Sequence, residues 1–114
     1  MTVRELAERL SLESLSDEEG LNREVTGGYA SDLLSDVMAH GRAGDIWVTL
    51  QSHRNIIAVA ALKELAAVVL VNGRTADPDT LTAAGQEGIP VLSSRLPAFE
   101  LIGQLYELGI RGAA

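Results

Sequence analysis

Apolar residues along the chain fall into short runs that alternate with amphipathic stretches. Four runs predict β-strands, and each lies between segments whose apolar residues recur at helical spacing. Strands that alternate with helices imply parallel crossovers, so the pattern predicts an α/β fold. In this fold a mainly parallel four-stranded sheet carries helices on both faces, in three layers. The predicted strands are residues 22–26, 44–50, 67–71 and 89–92, and the predicted helices are residues 2–12, 31–40, 55–65, 77–88 and 97–109.

The first predicted helix and the third strand carry the clearest local signals. Thr2 is a suitable N-cap, and Glu5 three residues later completes a capping box. Residues 67–71 are continuously apolar, which is typical of a strand buried on both faces.

The helix predicted at residues 55–65 has no polar stripe, because residues 56–62 are all apolar. A surface helix of a monomer normally has a polar face. Two interpretations remain open. The helix is either central and wrapped by its own chain, or it forms the interface of a homodimer. In a domain of this size we expect the homodimer.

Small, polar or cationic residues follow three of the predicted strands. In an open parallel sheet the carboxyl ends of the strands share one edge, where ligands bind. The loop 52–55 is expected to lead into a helix with Asn55 as N-cap, so that its amides and Arg54 could hold an anion. The predicted ligand-binding residues are Gly28, Tyr29, Ser52, His53, Arg54, Asn55, Asn72, Gly73 and Arg74.

Less specific interpretations compete with this site. Asn-Gly is a common turn dipeptide, so turn formation explains Asn72 and Gly73 by themselves. Asp32 and Asp36 are predicted one turn apart on one helix face, where they could bind a cation or act as acid and base. Surface solvation or pairing with the helix dipole explains these two carboxylates more simply.

Composition excludes several classes of function. The formal net charge of −7 opposes binding to nucleic acids and to anionic membranes. The absence of cysteine excludes disulfides and thiolate metal sites. The longest apolar stretch, residues 56–71, is too short and too charged for a membrane span, so a cytoplasmic protein of one domain, residues 1–114, is expected.

The motifs of the common enzyme classes are missing from the sequence. It contains no P-loop, dinucleotide-binding glycine motif, nucleophile elbow or zinc-protease pattern. We therefore expect no catalytic residue, no metal and no cofactor. A minor enzyme that uses His53 as a general base is the third and weakest hypothesis.

The loop residues resemble a stand-alone DRTGG domain over residues 21–108, after the N-terminal helix 2–12. That family is named for an Asp-Arg pair after one strand and a Thr-Gly-Gly turn after the next. Arg54 matches the first motif, where His53 replaces the acid. Gly73 matches the centre of the second, where Asn72 departs from the pattern. Segments 27–38 and 45–49 are similar to a subgroup of short, single-domain members.

The resemblance implies an α/β fold like the N-terminal domain of the kinase/phosphorylase that acts on the phosphocarrier HPr. Related domains accompany phosphate acetyltransferases and nucleotide-regulated pyrophosphatases, where they are regulatory or interfacial while catalysis lies elsewhere. The kinase's catalytic P-loop domain has no counterpart in this sequence.

The sequence thus favours a non-enzymatic regulatory or ligand-sensing domain that forms a homodimer. The expected ligand is a small anion, with an adenine nucleotide as the first candidate. The alternative is a protein-interaction subunit whose apolar helix docks on a partner enzyme or signalling protein without a small ligand.

Overall fold

A computed structural model describes residues 1–112, so the last two residues of the predicted domain 1–114 lie outside the described residues. Five helices and five strands form within this range. The helices are α1 (Val3–Leu10), α2 (Leu34–His40), α3 (Asn55–Leu62), α4 (Pro78–Glu87) and α5 (Ala98–Glu107). The strands are β1 (Glu13–Ser14), β2 (Gly27–Ala30), β3 (Asp45–Thr49), β4 (Ala67–Leu70) and β5 (Val91–Ser93).

The strands form a single sheet in the order β1-β5-β4-β3-β2. The four strands β2 to β5 are parallel, which confirms the α/β prediction. The predicted count of four strands is wrong, because β1 adds a fifth strand antiparallel to β5. Both residues of β1 are exposed, so no apolar pattern marks this strand in the sequence.

Two apolar clusters cover the two faces of the sheet, as the three-layer prediction requires. One cluster joins α1 and α5 to the sheet face that carries Ile46 and Val48. The other joins α2, α3 and α4 to the face that carries Trp47 and Val68. Every residue of β3 and β4 is buried, which confirms the burial on both faces predicted from the continuously apolar residues 67–71. The core therefore lies on both sides of the two central strands.

The prediction of a strand at residues 22–26 is wrong, because β2 begins at Gly27. The earlier segment pairs instead with the N-terminus of the chain. The Val25 amide donates to the Met1 carbonyl at 2.9 Å, and the Val3 amide donates to the Arg23 carbonyl at 2.9 Å. The burial of Val25 explains the strand-like pattern. Gly27 then aligns with Asp45, at the amino end of β3.

Helix α1 has the predicted capping box. The Thr2 hydroxyl accepts from the Glu5 amide at 3.2 Å, and the Glu5 carboxylate accepts from the Thr2 amide at 3.1 Å. Helix α2 begins three residues later than predicted, because Ser31 and Asp32 form a loop between β2 and the helix. Across residues 1–112, no helix combines the length and the apolar character needed to cross a membrane.

Helix α3 is covered mostly by its own chain, between β4 and the helices α2 and α4. Its residues Ile56, Ile57, Val59 and Ala60 are buried, whereas Leu62 is 69% exposed. The apolar face left open is therefore small. The self-wrapped interpretation accounts for most of this helix, and the homodimer stays a prediction that α3 alone does not support.

Candidate functional site

The loops after β3, β4 and β5 lie side by side at the carboxyl edge of the sheet. The Gly73 amide donates to the Ser94 carbonyl at 2.7 Å, which joins the second and third loops. The Thr80 hydroxyl donates to the Ser52 carbonyl at 2.7 Å, which ties the first loop to the segment after β4. The predicted convergence of these loops is therefore present for residues 52–55 and 72–74.

Each of the three loops carries an exposed arginine. These are Arg54 after β3, Arg74 after β4 and Arg95 after β5. Among residues 1–112, no carboxylate lies within ion-pair distance of any of the three. No Arg or Lys side chain of residues 1–112 forms an ion pair, so what sets this edge apart in a chain of net charge −7 is the placement of three guanidinium groups on adjacent loops. Such groups recognise carboxylate and phosphate oxygens through charge-assisted, bidentate hydrogen bonds.

Sequence reasoning missed Arg95 because it ended the last strand at residue 92. No apolar signal marked its position, because Ser93 and Ser94 are buried but polar and end the apolar run Val91-Leu92. Glu13 of β1 lies beside this end of the edge, since it pairs with Ser93. A shallow cavity of about 610 Å³ there is lined by Glu13, Gly73, Ser93 and Arg95, together with Ser11 and Leu12.

The loop before α3 differs from the prediction in its cap. Asn55 is the first residue of the helix and not its N-cap, and Arg54 occupies the cap position. The capping group is His53, whose Nδ1 accepts from the Asn55 amide at 3.2 Å. This bond assigns His53 a structural role and leaves Nε2 as its remaining ring nitrogen. A general base would need that second nitrogen to face a substrate.

The turn at Asn72 and Gly73 has a conformational explanation. Both residues have positive φ, 58° and 67°, a backbone region that favours asparagine and glycine. The Asn72 amide donates to the Leu96 carbonyl at 2.9 Å, and the Gly73 amide is bonded to Ser94. Because both amides are occupied, turn formation accounts for these two residues, and Arg74 remains as the anion-binding group of the loop.

Asp32 holds the loop after β3 in place. Its Oδ1 accepts from the Thr49 hydroxyl at 2.8 Å and from the Leu50 amide at 2.7 Å. The Gln51 side-chain amide donates to the Asp32 carbonyl at 2.8 Å. Asp32 lies before α2, so the prediction that it shares a helix face with Asp36 is wrong.

Gly28 and Tyr29 lie away from the carboxyl edge, which corrects the prediction that all three small-residue clusters meet there. Both are within β2, where Gly28 pairs with Ile46 and Tyr29 with Trp47. The Tyr29 hydroxyl donates to Asp36 at 2.8 Å, and this bond lowers the pKa of the Asp36 carboxyl and raises the pKa of Tyr29. The Tyr29 ring also stacks on His40, with 6.2 Å between ring centroids.

The two residues belong to a second concave region, which we call the β2-edge cleft. It has a volume of about 500 Å³ and lies along the outer side of β2, beside α5 and the segment that follows α5. Its lining combines apolar, aromatic and charged side chains. The lining residues are Gly28, Tyr29, Ala30, His40, Arg42, Asp45, Val48, Ile102, Leu105, Tyr106, Ile110 and Gly112.

Asp45 is the buried acid of this cleft. Burial raises the pKa of its carboxyl, and the hydrogen bond that it accepts from the Arg42 amide at 2.9 Å partly offsets the rise. Across residues 1–112, no group of three or more His, Cys, Asp or Glu side chains is placed to hold a metal ion.

No protein-family model and no curated protein matches this chain. Among solved structures, it is similar to the CBS and DRTGG domains of the regulatory region of a pyrophosphatase from Clostridium perfringens, complexed with the activator diadenosine tetraphosphate. The TM-score is 0.73 at 14% sequence identity, over 90% of this chain. The chain spans 44% of that structure's length. At this identity the likeness shows a shared fold, in agreement with the three-layer α/β architecture of the chain.

Proposed function

We propose that the protein is a DRTGG-like, non-enzymatic regulatory domain of the cytoplasm that senses a small anion at the carboxyl edge of its sheet. An adenine nucleotide is the first candidate. The observation that carries the proposal is the set of three unpaired arginines, Arg54, Arg74 and Arg95, on adjacent loops of an acidic protein. The pyrophosphatase region of similar fold binds a nucleotide activator, which supports this choice of ligand.

The arrangement suits binding better than catalysis. The arginines are exposed and spread over three loops, and His53 uses Nδ1 to cap α3. Guanidinium groups in this position can neutralise a polyphosphate, and backbone hydrogen bonds between the loops hold them in place. The sensed ligand would then bridge the arginine side chains of the three loops.

Isothermal titration of the protein with ATP, and separately with inorganic pyrophosphate, tests the proposal. Arg54→Ala and Arg74→Ala should each weaken binding by roughly ten- to a hundredfold, as expected for the loss of a charge-assisted bond. Arg4→Ala is the matched control, because Arg4 lies in the first turn of α1, where it contacts Leu21 and Asn22 away from the carboxyl edge, and its loss should leave affinity unchanged. Melting temperatures of all three variants should remain close to that of the wild type.

Two results would contradict the proposal. One is the absence of heat and of chemical-shift changes with either probe at about 1 mM, the weak end of specific affinities. The other is an equal loss of affinity in Arg4→Ala, which would show that only net charge matters.

One observation favours the alternative of a protein-interaction subunit. Phe99 on α5 is 86% exposed and Leu62 at the end of α3 is 69% exposed, which is unusual for large apolar side chains. Co-purification of a stoichiometric partner that is lost in Phe99→Ala would favour this function over ligand sensing. The same measurement by native mass spectrometry reports whether the protein is a homodimer.

A further inference from the structure

The cavity of about 610 Å³ at the β1 end of the carboxyl edge, which we call the β1 cavity, has a mixed lining. Its volume is within the range of small-molecule sites, roughly 300–1,000 Å³. An added Cβ at Gly73 would have no atom of the described residues within 4 Å, so the space above that turn is open. The lining thus joins an anion from β1 to a cation from the loop after β5. The lining residues are Ser11, Leu12, Glu13, Gly73, Ser93 and Arg95.

Backbone contacts place this acid beside two of the three arginine loops. Glu13 pairs with Ser93 across β1 and β5. The Ser93 hydroxyl donates to the Arg74 carbonyl at 2.8 Å, and Arg95 follows Ser93 by two residues. Glu13 therefore lies next to the loops that carry Arg74 and Arg95, at the end of the proposed anion site.

Glu13 and Arg95 do not neutralise each other. Over residues 1–112 neither side chain takes part in an ion pair, and both residues are exposed. A carboxylate at this place weakens the binding of a bare anion, because it repels the charge that the arginines attract. A ligand that carries hydrogen-bond donors next to its anionic group avoids this cost, since the donors meet the carboxylate. The cavity is therefore selective against bare anions.

We propose that the β1 cavity binds the ribose of a nucleotide whose phosphates lie on Arg74 and Arg95. The Glu13 carboxylate would accept hydrogen bonds from the two neighbouring ribose hydroxyls, while the guanidinium groups bind phosphate oxygens. An acidic side chain that accepts from a ribose hydroxyl recurs in dinucleotide-binding α/β sheets. The inference rests on the proposed anion site and adds to it the selection of a ribonucleotide over a bare polyphosphate.

Isothermal titration with three probes tests the inference. The probes are ATP, dideoxy-ATP, which lacks both ribose hydroxyls, and inorganic tripolyphosphate, which lacks the nucleoside. The wild type should bind ATP about tenfold more tightly than either of the others, as expected for hydrogen bonds to a charged acceptor. In spectra of the 15N-labelled protein, ATP should shift the amide signals of Ser11 and Leu12, and tripolyphosphate should leave them unchanged.

Glu13→Gln should change the affinities for two of the probes in opposite directions. It removes the charged acceptor, so ATP should bind about tenfold more weakly. It also removes the repulsion, so tripolyphosphate should bind about threefold more tightly. Glu87→Gln is the matched control and should leave both affinities unchanged. It removes the same charge at the opposite edge of the sheet, where Glu87 lies beside Gly44 and Ala66, the residues before β3 and β4.

Several outcomes would overturn the inference. Equal affinities for ATP and dideoxy-ATP would do so, and so would a Glu13→Gln variant that moves both affinities in the same direction. Unchanged affinities in Glu13→Gln would assign this acid to the protection of an edge strand. If tripolyphosphate binds as tightly as ATP, and more weakly in Arg74→Ala, the proposed anion site stands and the ribose site fails. If none of the three probes binds at about 1 mM, the anion site itself fails.

Discussion

Asp32→Ala should loosen the loop that carries Arg54 and destabilise the protein. The Asp32 carboxylate receives two hydrogen bonds, from the buried Thr49 hydroxyl and from the Leu50 amide, at 2.8 and 2.7 Å. The substitution removes both. The bond from the Gln51 side chain to the Asp32 carbonyl remains, because it uses the backbone. The loop should therefore stay attached at one point and lose its anchor at the end of β3.

The size of the effect follows from these contacts. A hydrogen bond to a charged group contributes roughly 1.5–3 kcal/mol when well protected. Asp32 is exposed, so solvent screening reduces the sum for the two bonds to about 2 kcal/mol. For a domain of this size, that loss lowers the melting temperature by roughly 8–12 °C.

Thermal and urea unfolding measure the loss of stability in Asp32→Ala. A double-mutant cycle with Thr49 shows how much of that loss comes from the hydrogen bond between the two side chains. Thr49→Val removes the hydroxyl while nearly conserving the shape of the side chain. Asp32→Asn retains an uncharged acceptor, so it should lose about half as much stability as Asp32→Ala. The cycle of Asp32→Ala with Thr49→Val should show coupling of about 1 kcal/mol. A melting temperature of Asp32→Ala within experimental error of the wild type, or additive effects in the cycle, would refute this reasoning.

Three further predictions concern stability. Gly103→Ala should stabilise the protein by roughly 0.5–1 kcal/mol in urea unfolding, because Gly103 lies within α5 and no atom of the described residues lies within 4 Å of the added Cβ. Gly44→Ala, its counterpart, should destabilise by more than about 1 kcal/mol, because φ is +85° and the Cβ would collide with the Thr26 hydroxyl. Burial raises the pKa of Asp45, so its protonated form favours the folded state, and this contribution is lost as the pH rises from below 3.8 through the raised pKa. The free energy of unfolding of Asp45→Asn, measured in urea, should therefore increase relative to that of the wild type as the pH rises through this range. A difference between the two proteins that does not change with pH would contradict the raised pKa of Asp45.

Segments whose burial is encoded locally could be predicted from the sequence. β4 is continuously apolar and β3 has the apolar centre Ile46-Trp47-Val48, because both faces of these strands are covered, and α1 begins at a complete capping box. β1 could not be found in this way. Its residues Glu13 and Ser14 are both exposed, and they form a strand only because the edge of β5 is available for pairing. Such a strand depends on tertiary contacts and not on local preference.

Only part of the candidate site could be predicted, because its residues could be placed only where the strands before them had been located correctly. Arg54 and Arg74 follow strands that the apolar pattern located correctly, so their shared position could be derived. Gly28 and Tyr29 were assigned to the same edge because residues 22–26 resemble a strand more than Gly27–Ala30 does. Glycine is depleted in strands, and a Gly-Gly pair predicts a turn when only the sequence is considered.

The two glycines of β2 have different physical explanations. An added Cβ at Gly27 would lie 2.7 Å from the Asp45 carboxylate and 3.1 Å from the Arg111 carbonyl, so packing requires glycine there. At Gly28 the nearest atom would be Cγ2 of Ile46 at 3.4 Å, an ordinary contact, and φ is not positive. Neither crowding nor backbone conformation therefore requires glycine at Gly28. An open strand edge without a charge, a proline or a bulge is also a risk for unwanted pairing. The segment that follows α5 covers this edge instead. An added Cβ at Gly28 would lie 3.8 Å from Cγ2 of Ile110, and one at Gly112 would lie 3.4 Å from the Gly28 carbonyl, so close passage of the chain's own backbone protects the edge.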